Sequence, residues 1–412
     1  MSGITGAGQT GPDRSDEDPH FLLVACRSPQ EVGRGDGVVL RARIAMLRRH
    51  GRVTVLCYGT GAAPWPAPPS WPDSGVRLVE VPFSRGAAAF GGLRAAVTGL
   101  PLQVGIWRQP AFVRAFRALV AETRFAAVGF VTLRAGAALM PEVQALPCRR
   151  WLEMIDLLSD NMARIGARAP WPRRALMRFE AGRLARLEAQ AAARFAPVFL
   201  VSPDEAARHP GFSHLPLSLP PARFRDPEPD RPGPPLRVCV SGNFRYFPNR
   251  EAAAFTFAAV AGLVRDSGLA VDLAVLGRGA PDLVAGFGAV PPGLRLLPEE
   301  PADMSAALAR SDVAVCAVFT FTGAQNKLLE AAAAGLALVA TPGPAAVVGL
   351  RAGAHFLPVT DQASLGAHLA AFAADPARFR AMRLAAQAVV RDHHAEDRVA
   401  AALDRHLGLG GA

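Results

Sequence analysis

S-D-V-A-V-C-A-V-F-T-F (residues 311–321) runs directly into T-G-A-Q-N-K-L-L-E-A-A-A-A-G (residues 322–335), and L-A-L-V-A-T (residues 336–341) follows. The first segment is apolar and largely β-branched, which predicts a buried parallel strand over Ser311–Phe321. Gly323 breaks the run. Asn326–Ala334 is rich in Leu, Glu and Ala and reads as a helix closed by Gly335, and Leu336–Thr341 reads as the next strand. Strand, glycine turn, helix and strand make a βαβ unit, so the fold class is α/β with parallel strands.

The start of that helix is suited to an anion. The amides of Gln325, Asn326 and Lys327 have no acceptor within the helix, and a phosphate can take them. Lys327 is the only lysine in the chain; the other permanent side-chain cations are arginines. Arginine presents a wide planar fork and lysine a compact point charge on a slim stem, so a narrow phosphate pocket selects lysine. The competing explanation is chance survival on a solvated face. Glu330 lies on the same helical face as Asn326 and Lys327, where a carboxylate can accept two hydrogen bonds from a sugar diol such as ribose. One short turn thus offers cation, amides and carboxylate, the parts that hold a nucleoside diphosphate.

A length of 412 residues fits two domains, and 50% apolar with 19% charged residues allows a large core. The net charge of +10, nearly all from arginine, favours anionic partners: nucleoside diphosphates, lipid phosphates or a membrane face. Nucleic acid is disfavoured, because aromatics are sparse among the basic runs and no nucleic-acid-binding motif is present. Cys26, Cys57, Cys148, Cys239 and Cys316 are scattered without metal-ligand spacing, which fits a reducing cytoplasm. Met1–His20 is polar, without the apolar core of a signal peptide, and reads as a disordered tail. Leu328–Leu350 is apolar enough to suggest a membrane span, but Gly335, Pro342, Gly343 and Pro344 punctuate it.

A first βαβ unit opens the globular part: a strand at Phe21–Cys26, a loop with Gly33, Gly35 and Gly37, a helix at Val38–His50 and a strand at Arg52–Tyr58. The loop lacks the ordered G-x-G-x-x-G of a dinucleotide site. Pro64–Pro72 is irregular. Further strands are expected at Arg77–Pro82, Phe125–Thr132 and Val198–Ser202, with a helix at Pro110–Arg124. Ala163–Phe195 is dense in arginine (Arg164, Arg168, Arg173, Arg174, Arg178, Arg183, Arg186, Arg194), with Trp171, Leu176, Met177 and Phe179 interleaved. It is either a solvated helix laced with Glu–Arg pairs or a basic amphipathic face for anionic lipid. These features divide the chain into a tail (1–20), an N-terminal domain (21–215), a proline-rich linker (216–235), a C-terminal domain (236–394) and a C-terminal tail (395–412). In the C-terminal domain, Leu236–Ser241, Val271–Leu276 and Leu294–Leu297 read as strands. Glu251–Arg265, Ala363–Asp375 and Pro376–His394 read as helices.

G-A-Q-N-K-L-L-E-A-A-A-A-G (323–335) resembles the G-x-Q-N-K-x-L-E-A-M-A-x-G signature of a branch of the family-four retaining glycosyltransferases, associated with bacterial exopolysaccharide and exosortase loci. Gly242-Asn243-Phe244-Arg245-Tyr246-Phe247-Pro248-Asn249 resembles that branch's G-N-M-x-Y-F-P-N loop. Arg34-Gly35-Asp36 resembles its R-G-D-K-I-R loop, with Val39 in place of the arginine. Asp156 and Ser159 are in register with its D-x-x-D-x-x-S-x-K-W segment. Glu180, Gly182, Arg183 and Glu188 match its R-E-G-R-x-L-x-x-Y-E helix, and V-S-P-D-E-A (201–206) its V-S-x-x-E-A. Two departures stand out. Val131-Thr132-Leu133 replaces the segment in which many family members carry a donor-sugar histidine. Thr322 occupies the first of two glutamate positions eight residues apart.

The resemblance implies a glycosyltransferase-B fold: two doubly wound Rossmann-like domains facing a cleft, with the last helix crossing back onto the first domain. It implies sugar transfer from a nucleoside-diphosphate donor, with retention, to a glycan or polyprenyl-linked acceptor. Gly242, Asn243, Arg245, Thr322, Gly323, Gln325, Asn326 and Lys327 would bind the donor and its phosphates. Lys327 would stabilise the leaving diphosphate, and Glu330 would hold the ribose. Gly35, Asp36 and Asp156 would lie on the acceptor side; Asp156 equally reads as a cap of the next helix. No cofactor and no metal are expected, since the only D-x-D is Asp16-Glu17-Asp18 in the tail. A cytoplasmic protein is implied, with room for a peripheral contact on an anionic membrane. The alternatives are a nucleotide-sugar epimerase on the same fold, a catalytically inactive donor-binding homologue, and a basic membrane-surface scaffold.

Overall fold

The computed structural model describes residues 18–30, 35–59, 75–167, 169–226, 233–321 and 323–409. The expectations for Pro64–Pro72, Arg34, Arg168 and Thr322 lie outside the described residues, as does most of the N-terminal tail.

The strands are β1 (His20–Ala25), β2 (Arg52–Gly59), β3 (Val76–Pro82), β4 (Ala127–Val131), β5 (Arg149–Ile155), β6 (Val198–Leu200), β7 (Phe212–His214), β8 (Leu236–Ser241), β9 (Val271–Leu276), β10 (Leu294–Glu299), β11 (Val313–Cys316), β12 (Ala337–Ala340) and β13 (Leu357–Pro358). They form two all-parallel sheets, in the orders β3-β2-β1-β4-β5-β6-β7 and β10-β9-β8-β11-β12-β13. Each is doubly wound, with its order reversing between β1 and β4 or between β8 and β11.

Helices cover both faces, so the central strands are apolar on both sides. Phe21, Leu23 and Ala25 of β1 enter one core, while Leu22 and Val24 enter the core on the opposite face. In the second sheet Val238 and Val240 face one core and Cys239 the other. The core holding Phe21 and Cys239 is continuous across the two domains.

Three expectations need correction. Of the Ser311–Phe321 run, only Val313–Cys316 is strand. Beyond Cys316 the chain leaves the ladder: the Thr341 hydroxyl donates to Val318 O at 2.8 Å, and Ala317 and Val318 are buried as loop. An apolar run reports burial, and burial does not distinguish a strand from a packed loop. At the N-terminus, His20 already belongs to β1, bonded through its ring to Thr54 Oγ1 at 2.9 Å, so the tail does not extend to residue 20.

The third concerns the C-terminus, where residues 396–407 form a helix, Glu396–Leu407, instead of a tail. Val399, Ala400, Leu403 and Leu407 make its buried stripe. It lies on the N-terminal domain: Arg49 pairs with Glu396 at 2.9 Å, His50 with Asp404 at 2.8 Å, and Arg149 donates to Leu407 O. The preceding helix, Arg380–His394, belongs to the C-terminal domain, where Arg383 Nε donates to Gly335 O at 2.8 Å and Gln387 Nε2 to Ala333 O at 2.9 Å. The crossing point is buried: Leu219 N donates to His394 O at 2.7 Å, and the His394 ring meets Leu217 O at 2.8 Å.

Candidate active site

The carboxyl ends of β8, β9 and β11 carry the loops of the donor-side motifs. Gly242 follows β8 with φ +155°, and a Cβ there would lie 2.9 Å from the Asn249 amide. The neighbouring loop after β9, Gly277-Arg278-Gly279, packs against it so closely that a Cβ on Gly277 would fall 2.1 Å from Gly242 O. Phe244 N donates to Arg278 O at 2.9 Å, and Gly279 N to Glu300 at 2.6 Å. The stretch is therefore a rigid backbone shelf. Arg245 stands exposed on it beside Gly279, and Arg278 is exposed too.

Lys327 lies across from this shelf, on the first turn of the helix Asn326–Ala333. Its Nζ donates to Asn249 Oδ1 at 2.6 Å, and Asn249 Nδ2 donates to Asn243 O at 3.0 Å. The first and last residues of the G-N-F-R-Y-F-P-N loop thus converge, and its asparagines tie the loop to the lysine. Burial pushes the Lys327 ammonium below the usual lysine range, while the neighbouring Cys316 works the other way. Asn249 is neutral, and no carboxylate forms an ion pair with Lys327 among the described residues. A desolvated cation held by a neutral amide is poised for an anion. Gln325 is the N-cap of this helix, and its side chain does not cap the first-turn amides at Asn326 and Lys327, which no other side chain among the described residues is seen to take. Glu330 is half-buried one turn further, where burial raises its pKa and the cation of Arg223 opposes that rise.

The N-terminal domain meets this loop directly. Gly323 has φ +60°, and a Cβ there would lie 3.2 Å from Asp156 Cβ and 3.7 Å from Val201 Cγ2. Arg164 Nη1 donates to Phe321 O at 2.7 Å. The two sheets thus point their carboxyl ends at one cleft, with Asp156 against the donor loop. Backbone strain gathers on the N-terminal side. Ile155, just before Asp156, has φ +71°, and Thr132, just after β4, has φ +79°. Both are β-branched residues in the left-handed region, which costs about 1–3 kcal/mol each and persists where surroundings over-determine it. Thr132 belongs to the segment that lacks the expected histidine.

Glu205 completes this side. It occupies the first turn of the helix Pro203–Arg208, capped by Ser202, and is buried with no hydrogen-bond partner on Oε2 among the described residues. Burial first, then the charges of Asp156 and Asp160, push its carboxyl up to about 7, against Arg164 and Arg208. The motif V-S-P-D-E-A contained this residue without revealing its charge state. Burial and the Asp156 carboxylate also raise the Tyr246 phenol, which places Tyr246 of the donor shelf near the same carboxylate.

The remaining motif residues lie in the N-terminal domain. Asp36 lies in the first turn of the helix Gly35–Leu47 and pairs with Arg27 at 2.5 Å, while Gly35 is exposed with open space where a Cβ would go. Glu180 accepts from Leu102 N and Gln103 N at 3.0 and 3.2 Å, capping the helix Leu102–Trp107. Arg183 donates to Leu100 O and Ala96 O, both at 3.0 Å, at the end of the helix Arg85–Thr98. Glu188 accepts from Ser159 N at 3.0 Å and from its hydroxyl at 2.5 Å, at the start of the helix Leu158–Ala167. These three residues of one motif therefore fasten three helix ends.

Residues 235–375, most of the C-terminal domain, match the family model described as glycosyl transferases group 1. No curated protein matches the chain by sequence. Among solved structures it resembles HepE of Anabaena in complex with UDP-glucose (13% identity, 94% of this chain and 99% of that one, TM-score 0.66). It also resembles a sucrose-phosphate synthase from Thermosynechococcus elongatus (16%, 95% and 100%, TM-score 0.68). A third match is WaaG, a glycosyltransferase involved in lipopolysaccharide biosynthesis (15%, 95% and 100%, TM-score 0.62). The architecture is the glycosyltransferase-B fold, with two Rossmann-like domains.

Proposed function

We propose that the chain is a retaining, metal-independent glycosyltransferase that moves a hexosyl group from a nucleoside-diphosphate donor to a glycan or polyprenyl-linked acceptor, in polysaccharide or glycoconjugate synthesis on the cytoplasmic side of a bacterial membrane. The observation that carries this reading is Lys327: a desolvated ammonium, bonded only to the neutral Asn249 among the described residues, beside uncapped helix amides. As the bond from the anomeric carbon to the diphosphate oxygen breaks, its electron pair stays on the diphosphate. Lys327, the amides of Asn326 and Lys327 and the exposed Arg245 stabilise that growing charge. The acceptor hydroxyl attacks the same face of the sugar, and its proton goes to the departing phosphate. Glu330 holds the ribose; Gly242, Asn243, Gly323 and Gln325 shape the donor seat; Asp156, with Gly35 and Asp36 further out, lies on the acceptor side.

HepE, described in complex with UDP-glucose, makes UDP-sugars the first donors to test. A thermal-shift screen of nucleoside-diphosphate sugars, followed by turnover in EDTA, tests the reading. Turnover lost on chelation and restored by Mg²⁺ or Mn²⁺ overturns the metal-independent step. Glu330→Gln is expected to weaken nucleotide binding by about 1–3 kcal/mol, the range for losing a hydrogen bond to a charged group. Unchanged affinity by calorimetry removes Glu330 from the ribose. Thr322 in place of the first glutamate favours a second reading, a homologue that binds donor without turning it over. Binding in the screen with no product separates the two.

A further inference from the structure

The helix Arg85–Thr98 is built inside out. It buries its small residues, Ala88 and Ala95, and lies so close to the helix Leu102–Trp107 that a Cβ on Gly91 would fall 2.1 Å from Gly105 O. Its large apolar residues face outward: Phe90 is 71% exposed, Leu93 67% and Val97 82%. They recur at i, i+3 and i+7 and so share one face. The helix Trp171–Ala191 packs beside it through Arg183, which donates to Ala96 O and Leu100 O and stacks over the Phe179 ring with its guanidinium carbon 4.0 Å from the centroid. At its own start this second helix exposes Trp171 by 80%, with Leu176 and Phe179 more than half exposed. Two neighbouring helices thus present six large apolar side chains to the outside of one domain. Hydrophobic packing alone would turn such side chains inward, so six large apolar groups turned outward on two neighbouring helices mark a surface that is covered in use.

Charge identifies the cover. Residues 83–101 and 161–179 contain no Asp or Glu. Arg85, Arg94, Arg173, Arg174 and Arg178 are all exposed there, and Glu180, which follows the second stretch, is buried and accepts from two backbone amides. A second copy of this chain would set arginine against arginine. A pair of helices with outward Trp, Phe, Leu and Val amid arginines, and no acid in either stretch, matches the interface of an anionic bilayer: apolar residues enter the acyl boundary and guanidinium groups meet lipid phosphates. Among the described residues no helix is long and apolar enough to cross a membrane, so the contact is from one side.

We infer that the face formed by Phe90, Leu93, Val97, Trp171, Leu176 and Phe179, rimmed by these arginines, is a docking surface for an anionic lipid bilayer. The inference is independent of the donor chemistry. It also sharpens the arginine-rich reading of the sequence, because half of the surface comes from a helix with an unremarkable sequence. The same arginine-rich segment leads back to the cleft, where Arg164 touches the donor loop, so a docked protein would hold its acceptor side near the lipid surface.

Sedimentation of the full chain with vesicles tests this. Wild type is expected to pellet with mixed phosphatidylglycerol–phosphatidylcholine vesicles, to stay in solution with phosphatidylcholine alone, and to be released by high salt. The triple variant Arg173→Gln, Arg174→Gln, Arg178→Gln is expected to lose at least about tenfold in partitioning, since each surface arginine is worth roughly a fivefold change. The triple variant Phe90→Ser, Leu93→Ser, Val97→Ser is expected to lose a comparable factor while the arginines remain. Both should keep the wild-type circular dichroism and nucleotide-induced thermal shift. Equal pelleting of all three proteins, or wild type left in solution with anionic vesicles, overturns the inference. So does a wild-type dimer in light scattering that the serine variant dissociates without any vesicle binding.

Discussion

Arg43 is fully buried and Lys327 half-buried, and the two cations are treated oppositely. Arg43, on the helix Gly35–Leu47, is 1% exposed and locked to Glu153 of β5, itself 1% exposed, by bonds of 2.8 Å to one oxygen and 2.5 Å to the other. Its charge is cancelled by a partner with matching geometry, and both groups sit under the sheet, away from the cleft edge. Lys327 has an amide oxygen in place of a carboxylate, and it stands at the carboxyl end of a strand beside uncapped amides. A buried cation with a fitted anion is part of the scaffold. One left with a neutral acceptor marks a place where the anion comes from outside.

The largest expected effect attacks the scaffold half of that contrast. Glu153→Gln strands Arg43 and should cost about 3–5 kcal/mol of stability, readable as a large fall in denaturation midpoint. The double variant Arg43→Met, Glu153→Leu removes both charges and should recover most of that loss. If the single variant melts like wild type, the pair is not holding the helix to the sheet.

The site half behaves differently. Lys327→Ala and Lys327→Arg should each lose at least about tenfold in turnover, near 1.4 kcal/mol of transition-state stabilisation, while the melting temperature stays where it was. An arginine variant with wild-type turnover would show that only charge matters there. A marked loss of stability in Lys327→Ala would place Lys327 with Arg43, as scaffold.

The smallest effect concerns an unpaired anion, Glu205. Its carboxyl sits at about 7 in the folded chain against an ordinary 4.5. Between pH 4.5 and 7 the unfolded chain releases this proton and the folded chain keeps it, so its contribution to stability falls as pH rises through that window. Glu205→Gln, which mimics the protonated form, should match wild type below pH 4.5 and exceed it above pH 7 by roughly 1–2 kcal/mol, the full shift being discounted for partial solvent screening. Parallel pH–stability curves for the two proteins would show that folding leaves the Glu205 carboxyl unshifted.

Sequence carried the layered plan, because parallel strands buried on both faces leave apolar runs and each turn leaves its glycine. It also supplied Lys327 and Asn243, from two motifs at neighbouring strand ends that converge at a switch point; Asn249, which bonds to both, stood only as the last residue of its motif. It did not give the end of β11, because a packed loop is as apolar as a strand. Nor did it give the two left-handed residues at the cleft: Ile155 and Thr132 look like ordinary strand residues, and only the assembled backbone forces their angles. Nor did it show that Glu180, Arg183 and Glu188 of one motif fasten helix ends, because capping residues and ligand-binding residues are drawn from the same polar types. The helix Arg85–Thr98 escaped notice because glycine and alanine dominate it, and such a composition does not say which face is turned inward.

The helix Glu396–Leu407 makes the last residues of the chain part of the first domain. During synthesis the N-terminal sheet emerges early, yet the cover for its Gly35–Leu47 side lies behind the whole second domain. That domain waits, with an apolar strip uncovered, until residues 396–407 have left the ribosome. A fragment ending at β7 is therefore an incomplete domain, a nonsense codon near residue 395 damages the half of the protein it is farthest from in sequence, and a fusion partner after Leu409 sits against the N-terminal half.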